Sequence, residues 1–222
     1  MPRPPTARDR ILRYLLGGQL GPHHRGCYGP VDSMYALWKA SGVPSFASVH
    51  ATIGLLIEAG LVDADDPTRI KHPPSVYRWW AGEKARPKAH SFHVSSPVDA
   101  AAALEAAQIP NAVTTYYAEN AWASHLFPRR FDTYVKAHDV ARARQVLLQH
   151  GAQLGGTNFR LLATDAHLMK EADACRRHYP ATPYRLAPLP QVIVDLLQER
   201  GSPVEAAELL MEKLYHVPPT RL

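Results

Sequence analysis

The chain of 222 residues is 46% apolar and 20% charged with a formal charge of +5, and its length favours two domains of ordinary size, each with its own core. No apolar run reaches the ~18 residues a membrane helix needs, and the start, MPRPPTARDR, lacks the apolar stretch of a secretory signal, so no membrane association and a cytoplasmic location are expected. Cys27 and Cys175 are too few for a disulfide framework and are expected to be idle thiols.

A first helix is predicted over 6–16, capped by Thr6, with Ile11, Leu12, Leu15 and Leu16 facing inward. GGQLGPHHRGCYGP follows, with five glycines and two prolines in fourteen residues, and reads as a flexible polar insertion. His23, His24 and Cys27 stand close together, and Cys175 precedes His178 by three. A structural zinc wants four such ligands in tight pairs near one another, so neither a metal nor any other cofactor is expected.

The next stretch is the most informative. In VDSMYALWKASGVPS, Met34, Leu37 and Trp38 recur at the spacing of one helix face. Gly42 supplies a stop, Pro44 stands just ahead of the next helix, and Ser45 is a natural cap. In the second helix, SFASVHATIGLLIEAG, Phe46, Val49, Ile53, Leu56 and Ile57 are expected on the inner side. Ser45, Ser48, Ala51 and Thr52 are expected on the outer side, as small side chains suited to meeting base edges in a major groove. After Gly60, residues 61–62 read as a short strand, 63–74 as a loop carrying Arg69, Lys71 and His72, and 75–80 as the returning strand of a wing. Tyr77, Trp79 and Trp80 on that strand are expected to cover the helices, with a partner-facing surface as the alternative.

This order is that of a winged helix-turn-helix, and it predicts binding to double-stranded DNA. Ser45, Ser48, Ala51 and Thr52 would read bases; His50 would reach a phosphate or lie half-buried; Arg69, Lys71 and Arg78 would hold the backbone from the wing side. The competing reading is an ordinary helical hairpin packed on a small sheet, and helix-turn-helix units also serve purely as protein-docking modules. Residues 1–90 carry 12 Lys+Arg against 7 Asp+Glu, and residues 91–222 carry 13 of each. The excess coincides with the motif, and a phosphate backbone attracts such a patch.

Residues 81–96 are charged at their start and lack an apolar period, which sets a domain boundary near residue 90. Beyond it the predicted order is an alanine-rich helix from Pro97 to about Gln108, a strand over 112–117, a short helix over 119–126, and a strand over 131–136 with Phe131, Thr133 and Val135 on one face. A helix capped by Asp139 and ending near His150 follows, then a strand over 158–163 and two amphipathic helices over 189–199 and 203–215. The expected fold class is α+β: a winged helix-turn-helix domain over 1–90, then a mixed α/β domain over 91–222 ending in two helices. No repeat of fixed period is visible.

Catalytic signatures are missing. Gly155-Gly156-Thr157 precedes a strand, whereas a phosphate loop opens a helix. Asp132 stands alone in its strand without the second carboxylate a magnesium-dependent nucleotidyltransferase needs, and His125, His138, His150 and His167 are scattered. No catalytic residue is assigned and no enzyme is expected.

The pattern TYYAENAWASHLFPRRFDTYVKAHDVARARQVLLQHGAQLGGTNFRLLATDAH, with RLAPLPQVIVDLLQERGSPVEAAELLMEKL after it, resembles the C-terminal part of the AbiEi family, the antitoxins of type IV toxin–antitoxin systems and related regulators. The likeness lies in the strand over 131–136, in Gly155-Gly156-x-Asn158 leading into Phe159-Arg160-Leu161-Leu162, and most specifically in PLPQVIVDLL…GSPVEAAELL. The resemblance implies a transcriptional repressor that binds inverted repeats in its own promoter through the winged helix; because one winged helix covers only a few base pairs, a homodimer or two monomers on a repeat is expected. The resemblance also implies opposition to a nucleotidyltransferase-like toxin. The segment over 17–30 departs from the family pattern as an insertion. Two other functions stay open: a toxin-neutralising interaction module with subordinate DNA binding, and a nucleotide-handling enzyme or replication-type factor.

Overall fold

A computed structural model describes residues 7–21, 24 and 26–216. Thr6 and His23 lie outside the described residues. In chain order the elements are α1 (Ala7–Gly18), α2 (Met34–Ser41), α3 (Phe46–Glu58), α4 (Pro73–Glu83), β1 (Ala89–His93), α5 (Pro97–Ala106), β2 (Asn111–Thr114), α6 (Thr115–Trp122), β3 (Phe131–Lys136), α7 (Val140–Gln149), β4 (Gln153–Leu154), β5 (Phe159–Thr164), α8 (Ala166–Cys175), α9 (Leu189–Leu197) and α10 (Ser202–Tyr215). The class is mixed α+β, with one five-stranded sheet among the described residues.

The chain divides into two units: a helical one, residues 5–84 with 189–222, and a sheet one, residues 85–188 with 1–4. The two terminal helices, expected to end the α/β domain, therefore belong to the helical unit. The reason is visible in α9, where Leu189, Val192, Ile193, Val194 and Leu196 leave no more than 1% exposed. A helix apolar almost all round must be covered on several sides, and α1, α4 and α10 cover it. Arg13 on α1 donates to Gln191 at 3.1 Å, and Lys84 at the end of α4 pairs with Asp195 at 2.7 Å. Ile11, Leu12, Leu15 and Leu16 of α1 are fully buried, as expected.

The largest departure within the helical unit is α4, where a returning strand was expected. Pro73 and Pro74 start it, positions where a missing N–H costs nothing. Val76, Tyr77 and Trp80 then fall on one buried helical face, so Tyr77 and Trp80 do cover the core, but at a helical period, whereas Trp79 is half-buried. What remains of the hairpin is a tight loop over 61–71: Val62 and Ile70 form an isolated antiparallel bridge, and Lys71 N donates to Leu61 O at 3.1 Å.

In the sheet unit the strand order is β2-β3-β5-β1-β4. β3 and β5 run parallel, and the remaining pairs are antiparallel. β1 lies inside the segment expected to be a linker. Phe92 is its one large apolar residue, and its pairing with β5 in the register Ala89↔Leu162, Phe92↔Phe159 is what holds it. Gly156 permits the close return after β4, because a Cβ there would lie 2.0 Å from the His93 nitrogen. The expected strand over 112–117 stops at Thr114, and α6 starts at Thr115 with φ 51°. β3 and β5 stand where expected, although residues 131–135 are buried on both faces. Asp139 precedes α7 without a side-chain capping bond, and α8, absent from the expected elements, is capped by Asp165, which accepts from Leu168 N at 2.9 Å. Neither cysteine is a free thiol, contrary to expectation.

Candidate nucleic-acid interface

Local chemistry sets the geometry of α2, the turn and α3. Ser33 Oγ accepts from Ala36 N at 3.1 Å and starts α2. Gly42, at φ 59°, ends it in the left-handed conformation, its N–H donating to Trp38 O. Trp38 Nε1 donates to Val43 O at 3.0 Å and pins the turn, and Ser45 Oγ accepts from Ala47 N at 3.1 Å to start α3. The chain turns through 118° between the two helices, inside the ~90–120° of helix-turn-helix units.

Val49, Ile53 and Leu56 form the buried side of α3, and Ser45, Phe46, Ala47, His50, Ala51 and Leu55 are exposed. Of the residues expected to read bases, Ser45 and Ala51 are exposed and Ser48 is half-buried. Thr52 is a correction: it is 4% exposed and its Oγ1 donates to Ser48 O at 2.8 Å. It stands three residues after Val49 and four before Leu56, which is the inner face. Phe46 corrects the expectation in the opposite sense, since its position at the first turn leaves its ring outside the core. His50 is exposed, its ring perpendicular to that of Phe46 with centroids 4.6 Å apart.

Arg69 and Lys71 are exposed on the 61–71 loop. Arg78 is not with them. It lies on α4 and meets Glu208 of α10 through Nε at 2.9 Å and Nη2 at 2.5 Å, which removes it from the expected backbone contacts. An aromatic row, missed in the sequence, runs from Tyr35 to Trp38 (5.6 Å between centroids) and on to Phe46 (5.7 Å), with Lys39 Nζ 4.4 Å from the Trp38 ring. The spacing of Tyr35, Trp38 and Lys39 at i, i+3, i+4 was the available signal.

The division into units also relocates the charge. Residues 5–84 with 189–222 hold 12 Lys+Arg and 12 Asp+Glu, whereas residues 85–188 hold 12 against 8. The excess assigned to the first 90 residues thus belongs to the sheet unit, because Arg86 and Lys88 fall there and residues 189–222 bring five carboxylates against three cations to the helical one. Within 31–71 the basic residues are Lys39, Arg69 and Lys71, against Asp32, Glu58, Asp63, Asp65 and Asp66.

In the sheet unit the fully buried Asp132 is the centre of an ion-pair group. Arg130 Nε reaches it at 2.9 Å and Arg160 Nε at 2.6 Å, and the Thr115 hydroxyl donates to its other oxygen. Arg129 and Arg130 both lie 4.9 Å from the Tyr116 ring centroid. Glu119, also buried, accepts from the backbone of His125 and Leu126. Asp132 and Glu119 thus have local partners, as does the buried Glu171 with His167 at 2.7 Å, and among the described residues no three His, Cys, Asp or Glu stand together as a metal-holding group. His90 on β1 is held below the usual imidazole pKa by burial and by the charges of Arg144 and Lys88.

Comparison of the chain with family models, with curated proteins and with solved structures finds no match.

Proposed function

We propose that this protein is a sequence-specific DNA-binding transcriptional regulator of AbiEi-like build, whose helical unit is a winged helix with its wing reduced to the 61–71 loop. The observation that carries this reading is the 118° turn between α2 and α3, fixed by the caps at Ser33, Gly42 and Ser45. It leaves the N-terminal half of α3 exposed, the part that enters the major groove in such motifs. Ala51 and His50 stay in the reading surface with the capping Ser45 and the half-buried Ser48 at its edge, and Arg69 and Lys71 supply phosphate contacts. Thr52 and Arg78 have no part in it.

The test is a mobility shift of the purified protein on DNA from its own upstream region against a scrambled duplex, at low and near-physiological salt. Retained, sequence-selective binding at the higher salt supports the regulator. Binding that ignores sequence, or none, overturns it.

The charge distribution favours a second reading, in which the sheet unit docks an acidic partner such as a nucleotidyltransferase-like toxin and DNA binding is subordinate. Co-purification of a toxin encoded beside this gene, stable in salt-free buffer and lost at high ionic strength, is the outcome this reading requires.

A further inference from the structure

The exposed surface of α3 has an unusual chemistry for a helix that reads DNA. Its thirteen residues, FASVHATIGLLIE, contain no Arg, Lys, Asn or Gln. Those four types make the paired hydrogen bonds by which guanine and adenine are usually recognised from the major groove. The remaining polar groups are mostly committed. Ser45 Oγ, just ahead of the helix, caps it, Ser48 is half-buried, Thr52 is buried on the Ser48 carbonyl, and Glu58 is at the far end. What faces outward is two adjacent i, i+4 strips: Phe46 with His50, and Ala47 with Ala51 and Leu55. The Phe46 ring rests between Trp38 and His50, with centroids at 5.7 Å and 4.6 Å, which holds its orientation.

We infer that α3 recognises thymine 5-methyl groups by apolar contact through Phe46, Ala47 and Ala51, so that A·T positions, and not guanine contacts, determine the site. Thymine alone among the four bases presents a methyl group in the major groove, and alanine and phenylalanine are side chains that meet it. His50 adds one N–H donor for a ring nitrogen of a purine. This inference rests on the DNA-binding reading above.

The test starts from a pool of random duplexes, from which the full-length protein selects its preferred sequence. That duplex is then prepared with deoxyuridine in place of thymidine, which removes the 5-methyl group and keeps the pairing. Each contacted methyl lost should weaken binding about fourfold. The Phe46→Ala protein, whose substitution lies on the surface, should lose part of this difference between the two duplexes, and Tyr35→Ala should keep it. Equal binding of the two duplexes by the unaltered protein overturns the inference and leaves the regulator standing. So does a deoxyuridine penalty undiminished in Phe46→Ala, because that reports altered DNA stiffness. A selection that enriches no sequence overturns the regulator itself, and the inference with it.

Discussion

Arg69 and Lys71 are exposed on a short hairpin, whereas Arg78, grouped with them by sequence, is held by a carboxylate on another helix. The three cations are equivalent in composition and differ only in which element carries them. Phosphate contacts shift the dependence of affinity on salt, by about 0.9 per contact on duplex DNA. With Lys39, Arg69 and Lys71 as the basic residues of the motif, the logarithmic slope per helical unit should be about −2 to −3. Arg69→Ala and Lys71→Ala should each reduce it by about one and weaken all duplexes alike. Arg78→Ala should leave it unchanged, as binding isotherms at several salt concentrations would record.

Asp132 was read in the sequence as a lone carboxylate, and its actual role could not be seen there because its partners Thr115 and Arg160 are 17 and 28 residues away. Its environment yields a stability prediction. Asp132→Asn removes a fully buried charge from two guanidiniums whose side chains remain 19% and 22% exposed. Breaking a buried ion pair costs about 3–5 kcal/mol, and this partial solvation puts the loss near the lower end, about 3 kcal/mol. Urea unfolding should show it as a lower midpoint with an unchanged slope.

At the scale of elements, much was legible where apolar spacing and caps agreed. Helix α1, the Gly42 stop, the Ser45 cap and strand β3 all follow from residues a few positions apart. Strand β1 and helix α4 were not legible, for two different reasons. β1 has one large apolar residue and owes its conformation to pairing with β5, a long-range cause. In α4 the aromatic and β-branched composition suggested a strand, while the proline pair and the helical spacing of Val76, Tyr77 and Trp80 decided the structure. Thr52 failed in a related way: polarity suggested the outer face, although its spacing from Val49 and Leu56 already placed it inside.

The packing of α4 on α10 gives a pH prediction. Tyr77 is buried and Tyr215 half-buried, with their hydroxyls 3.0 Å apart, and the Tyr215 hydroxyl also lies 3.3 Å from the Leu16 carbonyl. Burial raises both phenols above the usual value of 10.0. The folded state therefore keeps protons that the unfolded chain releases above that pH. Their stabilising effect is intact below pH 10 and is lost as pH rises further, by about 1.4 kcal/mol per pH unit for each phenol. Tyr215→Phe should make the alkaline fall in stability shallower, measured as urea midpoints between pH 9 and 11.

For the whole molecule, the chain returns to its first unit at the end, and this changes both its electrostatics and its folding. Sequence order suggested cutting near residue 90, with everything after it in a second domain. The apolar surface of α9 contradicts that cut: its buried residues pack on α1, α4 and α10, and Asp195 accepts Lys84. A fragment ending at residue 84 would expose the side of α1 and α4 that α9 covers and leave the buried Arg13 without Gln191. It should aggregate or remain unfolded. Residues 85–188 form one continuous segment whose sheet contains all five strands found among the described residues, so that fragment should fold alone. Circular dichroism and urea titration of the two fragments would decide the point. A cooperative transition from 85–188 and none from 1–84 is expected, and a folded 1–84 would show that α9 and α10 are accessories to the helix-turn-helix.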